Sequence, residues 1–149
     1  MDSTVRGNVL VVEDDQDCGH MIVRILSNAG YGVRWAPTRE AAVAALGRYL
    51  YDYIILDLRM PGMPTEVFLK IVGASSREIN IVLTTAETDA AREAKRLGIA
   101  NFLGKPFMPE DLLAVLRKLS SGVRKIPEGF RPPPPPPTTP SPTPTPKSN

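Results

Sequence analysis

Tyr53-Ile54-Ile55-Leu56 runs without a polar interruption into Asp57, and Arg59-Met60-Pro61-Gly62 follows. An apolar run this short, closed by a Pro-Gly breaker, reads as an inner strand of a parallel sheet, buried on both faces. The acid then stands at the strand's carboxyl end, which in open α/β sheets is the edge where ligands bind. Three other runs end the same way. Val9-Leu10-Val11-Val12 ends in Glu13-Asp14-Asp15, Ile81-Val82-Leu83 in Thr84-Thr85-Ala86, and Asn101-Phe102-Leu103-Gly104 in Lys105-Pro106. Four strands thus deliver acids, hydroxyls and one lysine to a single edge of one sheet.

Helical patterns fill the gaps between these runs. Cys18, Met21, Ile22, Ile25, Leu26 and Ala29 recur at three- and four-residue spacing, and Gly30 suits the left-handed position that closes such a helix. Tyr31–Trp35 reads as a short strand, and Thr38 can cap the helix that carries Ala42, Ala45, Leu46 and Tyr49. Further helices are expected over about Thr65–Val72, about Asp89–Leu97, and from Glu110 with Leu112, Leu113, Val115, Leu116 and Leu119 on its apolar stripe. Strand and helix alternate five times, which gives an α/β, doubly wound parallel sheet with helices on both faces and right-handed crossovers.

Composition divides the chain near Gly122. Eleven of the sixteen prolines lie at 127–149 among Thr and Ser. A segment so poor in aliphatic side chains cannot bury enough surface to offset its conformational entropy, so 123–149 is expected to be a disordered proline-rich tail. Within it, Pro132 to Pro137 should form polyproline II over roughly 19 Å. Residues 1–122 form the expected domain, long enough to bury about 65 % of the surface of the unfolded chain. They carry 14 basic and 15 acidic side chains, and the tail carries 4 and 1, so the net +2 comes from the tail. No basic stripe argues for nucleic-acid binding. A lone cysteine, Cys18, fits a reducing compartment. No early apolar run approaches the length of a secretory leader or a membrane span, so a cytoplasmic protein without membrane contact is expected.

Four motifs, VVEDD at 11–15, LDLRMP at 56–61, TAE at 85–87 and KPF at 105–107, resemble in residues and in order those of the receiver domain of bacterial response regulators. The resemblance covers about residues 7–121. It implies a flavodoxin-like sheet in strand order 2-1-3-4-5 and a two-component signalling role of the single-domain type. Asp57 would accept a phosphoryl group from a histidine kinase or phosphotransfer protein in a Mg²⁺-dependent reaction. The domain would act as a switch with weak self-phosphorylation and autodephosphorylation activity, not as a turnover enzyme.

The chemistry agrees with the residue types. A phosphoryl group moving onto a carboxylate needs an anionic nucleophile and cations for its three equatorial oxygens. Mg²⁺ takes oxygen ligands, commonly one or two carboxylates. Carried over residue by residue, Asp14 and Asp57 are direct ligands, the Arg59 backbone carbonyl is the third, and Glu13 acts through a water. Asp15 reads instead as a helix-start acid. Lys105 is the fixed cation, followed by Pro106, whose preceding peptide bond is often cis in the family. Thr85 donates its hydroxyl, preferred over Thr84 by the family's Thr-Ala signature. The resemblance makes Thr85 and Phe102 the switch, with Phe102 where the family often has tyrosine. The resemblance also implies that Arg59 and Glu87 flank the path of the attacking water. An unknown output protein would bind the face made by the fourth helix, fifth strand and fifth helix.

Each feature alone has a plainer meaning. Acids after a strand cap helices, Lys-Pro is ordinary loop chemistry, and Thr-Thr is an ordinary turn. His20 has no metal-ligand partner at helical spacing, Tyr49, Tyr51 and Tyr53 suit the core and rim, and Asp52 lies at the wrong end of its strand. Their convergence on one edge favours the site.

The pattern also departs from the family. Pro64-Thr65 stands where Asp-Gly or Ser-Gly is usual. The intervals Asp57 to Thr85 (28 positions) and Thr85 to Lys105 (20 positions) are each about two residues short. The alternative function is a receiver-fold adaptor that binds partners independently of phosphate. An aspartate-nucleophile phosphatase would need an acid where Arg59 stands, and a dinucleotide-binding domain would need a Gly-rich turn where Glu13-Asp14-Asp15 would repel pyrophosphate.

Overall fold

The computed structural model describes residues 6–75 and 78–120. Ten elements alternate along the chain: β1 (Asn8–Val12), α1 (Gln16–Asn28), β2 (Gly32–Ala36), α2 (Arg39–Leu46), β3 (Tyr53–Asp57), α3 (Thr65–Gly73), β4 (Asn80–Ala86), α4 (Glu87–Leu97), β5 (Asn101–Lys105) and α5 (Pro109–Ser120). The strands form one parallel sheet in the order β2-β1-β3-β4-β5. The expected doubly wound architecture and strand order are both present. The proline-rich tail lies outside the described residues.

The sheet is apolar on both faces because its central strands are covered on both. Every residue of β1 and β3 is buried. Leu10, Ile54, Leu56 and Leu83 face α2, α3 and α4, meeting Ala42, Phe68 and Ala94. The alternate residues Val9, Val11, Ile55 and Val82 face α1 and α5, meeting Ile22, Leu26, Leu112 and Leu116. Leu56 sits between Val12 and Leu83 in the register and is fully buried. Truncating it to alanine would cost about 2–5 kcal/mol.

The helix ends follow local chemistry. The Asp15 carboxylate accepts the amide of Asp17 at 3.0 Å and caps α1, and Thr38 Oγ1 accepts the amide of Ala41 at 2.9 Å and caps α2. Gly30 follows α1 at φ +97°, the left-handed region in which a side chain would be strained. Pro64 stands before α3 and makes no side-chain cap bond, which is how the departure at Pro64-Thr65 is accommodated. The Lys105–Pro106 bond is cis.

One boundary differs from expectation. β4 continues through Ala86 and α4 begins at Glu87, two residues before the expected Asp89, with no linking residue.

Candidate functional site

The carboxyl ends of β1, β3, β4 and β5 bring Glu13, Asp14, Asp57, Thr85 and Lys105 to one edge of the sheet. Carboxylate oxygens of Glu13, Asp14 and Asp57 lie within 4.8 Å of one another, with Glu13 and Asp57 buried and Asp14 exposed. Lys105 Nζ donates to Glu13 Oε1 at 2.8 Å and stands 3.4 Å from Asp57 Oδ1. The amide of Arg59 donates to Asp57 Oδ1 at 3.3 Å. Asp15 is turned away into its capping role, outside this group.

Burial decides the electrostatics. It pushes the Asp57 carboxyl up to about 6, and the nearby Glu13 charge pushes the same way, while Lys105 and the Arg59 amide oppose both. Burial draws the Lys105 ammonium down, but its hydrogen bond to Glu13 and the charges of Asp57 and Glu13 outweigh that, and the net shift is upward. Lys105 therefore faces two of the three acids, Glu13 and Asp57, and the trio is an all-oxygen donor set suited to a hard divalent cation such as Mg²⁺. The close approach of three carboxylates, two of them buried, is the arrangement such a cation relieves.

A cleft of about 670 Å³ opens beside Asp57, lined by Cys18, Met21, Arg59, Thr85, Lys105 and Phe107. Thr85 lines it. Thr84 does not, since its hydroxyl is turned into the sheet and donates to the Leu56 carbonyl at 3.5 Å. Burial and then Glu13 raise the Cys18 thiol to about 12, so it stays protonated as a packed wall of the cleft. Phe102 projects outward from β5 and is 39 % exposed. The Arg59 side chain reaches Asp89 on α4 at 3.6 Å. The side chain of Glu87 lies outside the described residues.

Sequence reasoning missed two residues that hold these loops. The indole of Trp35, on β2, donates to the Glu13 carbonyl at 2.7 Å. It packs against Gly19, where a Cβ would stand only 2.6 Å from the indole nitrogen, so glycine is needed for this close approach. His20 stacks edge-on against the same ring. Arg39, 2 % exposed, donates to the carbonyls of Asp57, Leu58, Met60 and Met63. A signal for Arg39 was present. A cation in the first turn of a helix opposes the macrodipole, and such a residue usually has a compensating partner.

A five-stranded doubly wound parallel sheet with a carboxylate cluster at its carboxyl edge is the class that this fold and site define. The sequence profile described as the response regulator receiver domain matches residues 9–117, and the chain belongs to that family. The transcriptional regulatory protein FixJ of Bradyrhizobium diazoefficiens is 31 % identical over 115 residues, covering 76 % of this chain and 56 % of that protein. The DNA-binding response regulator MtrA of Mycobacterium tuberculosis is 31 % identical over 116 residues, covering 76 % and 50 %. This chain therefore spans about half the length of the curated relatives it matches. Among solved structures, the chemotaxis response regulator CheY4 of Vibrio cholerae superposes with a TM-score of 0.70 at 34 % identity, covering 78 % of this chain and 99 % of that one. No helix among the described residues is long and apolar enough to cross a membrane.

Proposed function

We propose that this receiver domain takes a phosphoryl group onto Asp57 from a phosphohistidine on a histidine kinase or phosphotransfer protein, or from a small phosphodonor. The observation that carries this reading is the setting of Asp57. It is a buried carboxylate at the end of β3, within 4.8 Å of two other acids and 3.4 Å from a lysine. A carboxylate oxygen of Asp57 forms the new O–P bond as the P–N bond breaks, and the electron pair leaves on the imidazole nitrogen. Lys105 neutralises charge on the transferred oxygens, and Thr85, which lines the cleft, donates its hydroxyl to one of them. Asp14, Asp57 and the Arg59 carbonyl would hold Mg²⁺ directly and Glu13 through a water. The bound ion would supply positive charge to the oxygens in transfer.

Met21 and Phe107 give the cleft an apolar rim, suited to a protein donor as well as a small one. Phosphorylation then shifts Thr85 and Phe102 and so alters partner binding on the α4–β5–α5 face, where a change of a few kcal/mol between two populations suffices. The test is mass spectrometry after treatment with acetyl phosphate and Mg²⁺. The wild-type chain should gain one phosphoryl group and Asp57→Ala none. Equal modification of Asp57→Ala would overturn the assignment.

A further inference from the structure

The loop between β3 and α3 carries the site but has few ties of its own. Pro61 and Pro64 have no amide hydrogen to donate, Gly62 adopts φ +98°, and α3 begins without a side-chain cap. Arg39, at the first position of α2, reaches across to it. Its Nη1 donates to Met63 O at 2.6 Å and Met60 O at 3.3 Å. Its Nη2 donates to Leu58 O at 3.1 Å and Asp57 O at 3.2 Å. The four carbonyls come from residues on both sides of position 59. Glu40, the next residue of α2, takes the opposite polarity from the same loop, its carboxylate accepting the amide of Met63 at 3.2 Å. The start of α2 thus grips the loop by its carbonyls and by an amide.

The guanidinium is buried. Burial opposes its charge, and Asp57, Glu40 and Asp14 are the first groups that favour it. A guanidinium keeps its proton in proteins and offers donors in a fixed planar fork, which lysine does not.

We infer that Arg39 is a positioning residue for the Asp57 site, holding the β3–α3 loop in the conformation that presents the residue-59 carbonyl to a divalent cation. This rests on the reading of Asp57 as phosphoacceptor. Groups that orient metal ligands from outside the coordination sphere typically contribute about 10- to 100-fold in metal affinity. Arg39 acts on a main-chain ligand through the carbonyls beside it.

The test uses the full 149-residue chain with Mg²⁺ alone as probe, and compares Arg39→Lys and Arg39→Gln with wild type. Mg²⁺ affinity is read from amide chemical shifts, and stability from thermal melts. Both variants should bind Mg²⁺ about 10-fold or more weakly. Arg39→Lys should keep most of the melting temperature, because it keeps the charge and loses the fork. A folded variant with wild-type Mg²⁺ affinity and a lowered melting temperature would reduce Arg39 to a packing role and overturn the inference. Where neither variant folds, the wild-type guanidinium answers instead. The Arg39 Nη resonances should shift in step with Mg²⁺ saturation, and resonances that stay fixed while the Arg59 amide moves would overturn it. A wild-type chain that neither binds Mg²⁺ nor is modified at Asp57 would defeat the functional reading itself. Wild-type binding with unaltered Arg39 variants would defeat this inference alone.

Discussion

The indole of Trp35 is hydrogen-bonded to the main chain of Glu13, with 2.7 Å between Nε1 and the carbonyl oxygen. Trp35 is the only tryptophan in the protein. Its emission therefore reports on the loop that carries Glu13 and Asp14, with no background from another indole. Titration with Mg²⁺ is expected to change the emission saturably in wild type. In Asp14→Asn the curve should move to higher Mg²⁺, while metal-free stability rises by about 0–1 kcal/mol as one exposed like charge is removed. An unchanged midpoint would take Asp14 out of the ligand set.

The acid trio should also make metal-free stability depend on pH. Asp57 is raised from 3.8 to about 6 in the folded protein, so the fold binds this proton more tightly than the unfolded chain does. Its contribution to stability is full below the unfolded value and is lost as pH rises through about 6. Urea unfolding without metal should accordingly find wild type less stable than Asp57→Asn near neutral pH, with the gap narrowing as pH falls toward about 4. A gap independent of pH would mean that Lys105 fully compensates the buried carboxylate.

Arg59 and Asp89 stand 3.6 Å apart, with the arginine side chain 68 % exposed. So open a pair contributes little to folding, and Arg59→Ala should cost about 0–1 kcal/mol. Arg59 does line the cleft beside Asp57, where its side chain can obstruct the approach of water. Loss of the phosphoryl group, followed after removal of the donor, should be faster in Arg59→Ala. An identical decay would make the pair mere surface charge.

Deleting residues 123–149 should leave both the melting temperature and the rate of modification by acetyl phosphate unchanged. The deleted stretch has no apolar stripe with which to pack. A fall of several degrees would place the domain boundary beyond Gly122.

The sheet was legible because its central strands are written as unbroken apolar runs, and the site because each run ends in the residue it delivers. Thr85 was separated from Thr84 only by the family's signature. The structure gives the physical difference, since one hydroxyl lines the cleft and the other is turned into the sheet. The start of α4 was misplaced because Glu87 and Thr88 look like a loop in sequence. Only the length of β4 shows that no room is left for one. Trp35 and Arg39 were missed for a related reason. Their partners are backbone carbonyls of residues 13, 57, 58, 60 and 63, far along the chain, and a carbonyl carries no residue-specific mark.

The direct passage from Ala86 at the end of β4 to Glu87 at the start of α4 leaves no slack between the site and the helix. Thr85 is two peptide links from the first helical residue. Any displacement of its backbone must be taken up by the opening turn of α4, which has no side-chain cap to hold it. That turn also carries Asp89, whose carboxylate stands 3.6 Å from the Arg59 guanidinium. A shift of the Thr85 backbone would therefore reach the first turn of α4 with only Ala86 between them.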